Sequence, residues 1–96
     1  MTLSEFKSSL AKQQPPPVAV FLQALWHDGC GNWEKAHNIA QDVTSKDGSW
    51  IHAYLHRKEG DQFNAEYWYT RANRIMPTYS LEKEWDEIAA HLLSLS

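Results

Sequence analysis

Apolar residues recur along this chain at intervals of three and four, and each recurrence is bounded by capping or turn residues. Leu3, Phe6 and Leu10 fall at i, i+3 and i+7, one face of a helix. Thr2-Leu3-Ser4-Glu5 has the form of a capping box, with Thr2 as N-cap and Glu5 reaching back to it. Pro15-Pro16-Pro17 closes that helix, because a residue before proline avoids the helical region. Pro17 suits the first position of a second helix, where a missing N–H costs nothing. That helix is expected over about 17–28, with Val18, Phe21, Leu22, Leu25 and Trp26 inward, and Gly29-Cys30-Gly31 ends it. Asn32 caps a third helix whose stripe is Trp33, Ala36, Ile39, Ala40 and Val43. Ser45-Lys46-Asp47-Gly48 reads as a loop. A fourth helix is expected from Ser49 to Glu59, where Gly60 stops it. A fifth runs from its cap Asp61 to about Ile75, ahead of Pro77. Ser80 caps a sixth, with Leu81, Trp85, Ile88, Ala89, Leu92 and Leu95 on one stripe. No strand-length alternation of apolar and polar residues competes, so the pattern predicts an all-α fold.

The second and fourth helices share more than periodicity. Ala24 and Ala53, His27 and His56, Gly31 and Gly60, and Ala36 and Ala65 are each separated by 29 residues. Self-similarity at such a period marks stacked supersecondary units, each needing a neighbour to bury its apolar face. From Ser49 to Pro77 the chain resembles a tetratricopeptide repeat. The residues that carry the likeness are Ala53, then Gly60 and Asp61 at the turn, Ala65, Tyr69 and Ala72 down the next helix, and Pro77. The first unit keeps Ala24, Gly31 and Ala36 but has Ala40 where a large residue is usual, and it lacks the closing proline. Its period is also shorter than the family's ~34 residues. The resemblance implies tetratricopeptide-like antiparallel helical hairpins of the α-α superhelix type in a single domain. Residues 1–14 would form an N-terminal helix and linker, 17–44 and 48–77 two hairpins, and 80–96 a capping helix. Two hairpins are fewer than the usual three, so no long groove is expected.

Longer runs are similar to a widespread family of small bacterial proteins to which no activity is assigned. They are Leu25-Trp26-His27-Asp28-Gly29, Trp33-Glu34-Lys35-Ala36-His37, the stretch from Trp50 to Asp61, and the stretch from Asn64 to Ala72. That resemblance supports the helical fold and transfers no function.

Ninety-six residues make one small domain with a limited core. Five Trp, four Tyr and three Phe enlarge it, since each ring buries roughly 150–250 Å². A net charge of −3 lacks the basic footprint of a nucleic-acid partner or of binding to an anionic membrane. The single Cys30 excludes an internal disulfide framework and fits a reducing cytoplasm. The first residues show no signal-peptide pattern, and no apolar run has the length of a membrane span.

Histidines occupy positions that are apolar in an ordinary tetratricopeptide hairpin. His52 and His56 lie in the second unit, with Gln23 and His27 at the equivalent places in the first. A buried imidazole without a partner costs roughly 1–3 kcal/mol, so these side chains either hydrogen-bond one another and their neighbours or face a polar cavity. His52, His56 and Glu59 at i, i+4 and i+7 also form a ligand set for zinc or iron, which His27, with His37 as a further option, would complete from the first unit. No His-Glu-x-x-His motif is present. Cys30, three residues after His27, has no evident orienting partner as a nucleophile.

The remaining candidate is a binding face. The tetratricopeptide resemblance places Phe21, Leu25 and Asp28, and in the next unit Trp50, Tyr54 and Arg57, on one concave surface. Trp, Tyr and Arg are enriched at interface hot spots. Capping helices would instead make the rings core, and Arg57 would then mark the groove edge or pair with Asp28. Glu82-Lys83-Glu84-Trp85-Asp86-Glu87 reads as a solvated helix face. The expectation is a non-enzymatic module for a protein or peptide partner, without cofactor. The alternative is a metal-binding protein or metal-dependent enzyme using His52, His56 and Glu59.

Overall fold

The computed structural model describes residues 1–42 and 45–95. Among them are six helices and no strand: α1 (Leu3–Ser9), α2 (Val20–Gly29), α3 (Trp33–Gln41), α4 (Lys46–Glu59), α5 (Gln62–Arg71) and α6 (Leu81–Ser94). The capping residues act as their chemistry dictates. Thr2 and Glu5 form a complete capping box, and the side chains of Asn32, Asp61 and Ser80 each accept the backbone N–H three residues on.

Three helices end in the same pair of bonds. After α4, Gly60 N–H donates to the Arg57 carbonyl and Asp61 N–H to the His56 carbonyl, with Gly60 at φ +88°. After α2, Gly31 at φ +86° donates to Asp28, and Asn32 to His27. These are Schellman closures, and they sit 29 residues apart. The third follows α5, where Asn73 takes the left-handed position at φ +60° and Arg74 N–H donates to Tyr69. The expected extension of α5 to Ile75 therefore fails at Asn73, a residue that tolerates the left-handed region better than most.

Two other boundaries differ. Lys46–Gly48 is not loop but the first turn of α4, because Ser45 caps it by accepting Gly48 N–H at 3.1 Å. The second helix starts at Val20, not Pro17, because Val18 N–H donates to the Pro16 carbonyl in a tight turn. The expected inward Val43, and the end of the first hairpin at 44, lie outside the described residues.

In the packing, α4 lies along α5 and α2 along α3, while α6 crosses α4, α2 and α1. Small residues sit where the helices approach: Ala24, Ala36, Ala53 and Ala65 are all fully buried. Trp85 of α6 anchors the other end of the core. Its ring stacks on Phe6, with centroids 5.6 Å apart, and its indole N–H donates to the Leu25 carbonyl at 3.1 Å. No helix among the described residues is long and apolar enough to cross a membrane.

A Cβ at Gly60 would meet nothing within 4 Å, so the backbone conformation alone carries the penalty there. Gly60→Val should destabilise the fold by about 1 kcal/mol or more, read as a lower urea midpoint. An unchanged midpoint would show that the left-handed closure contributes nothing.

Candidate functional site

Two polar constellations lie on opposite sides of α4. Trp50, Tyr54 and Arg57 share one face of it, as their spacing requires, and α6 covers that face. Glu84, fully buried on α6, gathers the donors. Its carboxylate accepts Trp50 Nε1–H at 3.1 Å, the Arg57 guanidinium at 2.9 Å and the Tyr69 hydroxyl at 2.6 Å. Arg57 also donates to the Tyr79 carbonyl. Asp28 is buried as well, and accepts the Tyr54 hydroxyl at 3.0 Å and Lys58 Nζ at 2.9 Å. Burial first, and then these carboxylates, push the Tyr54 and Tyr69 phenols well above their ordinary range.

Trp50, Tyr54, Leu25 and Asp28 are thus enclosed, and Phe21 is partly covered against the core. Arg57 pairs with Glu84, and the expected partner Asp28 goes to Lys58. The acidic run 82–87 is not wholly solvated, because Glu84 points into the core. The signal was present in the spacing. Glu84 lies three residues after Leu81 and four before Ile88, inside the apolar stripe of α6.

The opposite face of α4 carries His52 and His56. The packing of α3 against α4 brings His37 to them, and their ligand atoms all lie within 4.8 Å of one another. His37 Nε2 and His52 Nε2 are 3.0 Å apart, so one ring donates and the other accepts. His56 Nδ1 lies 2.7 Å from Glu59 Oε2, which fixes its proton on that side and leaves Nε2 free to act. Two indoles hold the imidazoles in place. Trp33 stacks on His37 with centroids 4.9 Å apart, and Trp68 of α5 stacks on His52 at 4.0 Å. The Trp33 N–H is itself tied to the Leu55 carbonyl at 2.8 Å.

Burial lowers His52 most, to a pKa of about 4, with the neighbouring His37 and His56 adding to the effect. His37 is lowered as well, by burial and then by His56, with Glu59 pulling the other way. Both groups are held toward the unprotonated form, which is the form that ligates metals.

Of the sequence candidates, His52 and His56 come together, and Glu59 joins them through His56. His27 stands apart, edge-on to Trp26 with centroids 5.1 Å apart. His37 is the residue that sequence reasoning underweighted. The available signal was Trp33 and His37 at i, i+4 on a helix next in order to α4. Cys30 is exposed, its thiol 3.6 Å from the Leu10 carbonyl, and desolvation raises its pKa, the opposite of an activated thiolate.

The chain matches no protein-family model, no curated protein and no solved structure.

Arg57→Ala would strand a buried carboxylate. It should cost about 3–5 kcal/mol in chemical denaturation, and a loss below ~1 kcal/mol would show that the pair is not structural. The metal-free protein should also lose stability as pH falls from 6.5 to about 4. In that window unfolded His52 takes up a proton that the folded form refuses, so the unfolded chain binds more protons. The stability present above pH 6.5 drains through the window, with His37 and His27 contributing in the same sense. His52→Leu should flatten the fall in urea midpoint between pH 7 and pH 5; an equal fall in both proteins would assign it to other groups.

Proposed function

We propose that this protein is a small tetratricopeptide-like helical module that binds one divalent transition-metal ion, zinc being the best match, through His37, His52 and His56. The observation that carries the reading is the convergence of three imidazoles whose ligand atoms lie within 4.8 Å of one another. Tetrahedral zinc, with Zn–N near 2.0–2.1 Å, spaces its ligand nitrogens roughly 3.3 Å apart. The 3.0 Å between His37 and His52 would open by a few tenths of an ångström, and His56 would close in by a ring adjustment. Imidazole is a favoured donor for zinc, copper, iron and nickel, so the donor set fits a metal of this group.

Glu59 strengthens the reading. A histidine that ligates a metal through one ring nitrogen commonly gives its other N–H to a carboxylate, which fixes the tautomer and makes the ligand more basic. His56 and Glu59 have that arrangement. The tetratricopeptide-like part of the proposal is supported by the matched closures at Gly31 and Gly60 and by the buried alanine pairs, all in register at the same offset. The free Cys30 fits a reducing cytoplasm. Metal binding is preferred to a protein- or peptide-binding groove because Trp50, Tyr54 and Arg57, the hot-spot types expected there, are engaged by Glu84 and Asp28.

Protein purified without an affinity tag should take up one zinc ion per chain and melt at a higher temperature when loaded. An excess of about 100 times Kd adds roughly 2.7 kcal/mol to a one-site protein. His37→Ala and His52→Ala should abolish uptake, His27→Ala should leave it intact, and Glu59→Gln should weaken it about 10- to 100-fold. Sub-stoichiometric zinc, or uptake equal in His52→Ala and the parent, would sink the proposal.

A further inference from the structure

We infer that the ion held by His37, His52 and His56 keeps an exchangeable fourth coordination position, open to a small monoanion or to water. This rests on the metal reading above and concerns what the bound ion can do. Structural zinc sites close with four protein ligands, whereas reactive ones hold three and leave one position to solvent or substrate.

The first argument is the donor count. Among the described residues, the carboxylates beside the cluster are those of Glu59 and Asp61. Their oxygens group with His56, but the three-histidine group contains neither of them. Both are also committed elsewhere. Glu59 Oε2 holds His56 Nδ1 at 2.7 Å. Asp61 caps α5, accepting Asn64 N–H at 3.2 Å on one oxygen and the Asn64 side-chain amide at 2.7 Å on the other. Recruiting Asp61, or Glu59 through Oε2, would compete with a bond that fixes a helix start or a ligand.

The second argument is what lines the site. The large groups packed on the imidazoles are the indoles of Trp33 and Trp68. An indole N–H is a donor only and cannot ligate a cation. The two rings hold the histidines from the protein side and add no fourth donor.

Exposure and charge give the third. His52 is buried and His37 half-buried, while the His56 side chain keeps 12 % of its surface exposed and the Glu59 side chain 39 %. The free direction therefore runs to solvent past Glu59. A divalent ion on three uncharged imidazoles, with one carboxylate nearby, keeps an excess of positive charge that attracts a small monoanion.

Cobalt(II) protein tests the inference, because tetrahedral cobalt absorbs in the visible and its spectrum follows a change of ligand. Azide is the probe, and dialysis confirms that cobalt stays bound. The expected result is a saturable change of the cobalt band at one azide per chain. In Glu59→Gln, removal of a nearby negative charge should lower the half-saturating azide concentration several-fold. A silent parent with a responsive Glu59→Gln would make Glu59 the fourth ligand and overturn the inference. Both proteins silent with cobalt bound would overturn it while leaving metal binding intact. Glu59→Gln is loaded with enough excess cobalt to offset its weaker binding, and failure of the parent to take up cobalt would remove the metal reading, and the inference with it.

Discussion

The arrangement of this molecule depends on one buried carboxylate. Glu84 projects from α6 into the core with no exposed surface, and the cost of desolvating it falls on the whole fold. Three donors from two other helices offset that cost: Trp50 and Arg57 of α4 and Tyr69 of α5. Every one of those bonds is lost if α6 shifts or leaves. The carboxylate thus clamps three helices in one relative position, a geometric specificity that apolar packing alone supplies poorly.

Fixing one face of α4 aims the other. Residues 50, 54 and 57 are offset by two positions from residues 52, 56 and 59. Two positions along an α-helix rotate a side chain by about 200°. When Trp50 and Arg57 are drawn to Glu84, His52 and His56 must point away from α6, toward α3 and α5. There the indoles of Trp33 and Trp68 receive them, and His37 completes the cluster. The ion-paired side of the helix is the scaffold on which the imidazole side is presented.

The two sides handle polarity differently. Around Glu84 and Asp28 each buried acid faces a base, Arg57 or Lys58, and the charges compensate within the chain. Around the histidines the acid in contact, among the described residues, is the partly exposed Glu59 at the edge of the cluster, bonded to His56 and not to His52. His37 and His52 share one hydrogen bond, burial depresses both, and His56 adds to the effect on each. A cluster of this kind accepts positive charge reluctantly as protons, one per ring, and more readily as one cation shared by several lone pairs. That difference is the physical content of assigning it to a metal ion.

Local interactions made most of the architecture legible in the sequence. Capping at Thr2, Asn32, Asp61 and Ser80, the glycine stops at 31 and 60, and the helical spacing of apolar residues act within a few residues, so the all-α fold and most boundaries could be read directly. The exceptions were also local but quieter: Asn73 in place of glycine, Ser45 capping through a glycine-containing first turn, and the tight turn at Pro16–Val18 that delays the second helix. The i, i+4 pairing of His52 with His56 was legible for the same reason. What the sequence could not decide was which helix lies against which face. The spacing of Trp50, Tyr54 and Arg57 announced a shared direction but not whether solvent or α6 would occupy it. Nor could it show that Glu84, in a run of charges, would be the group they meet. His37 reaches His52 only because α3 packs on α4. Such contacts depend on the sum of all the interhelical fits, and that sum exists only in the folded chain.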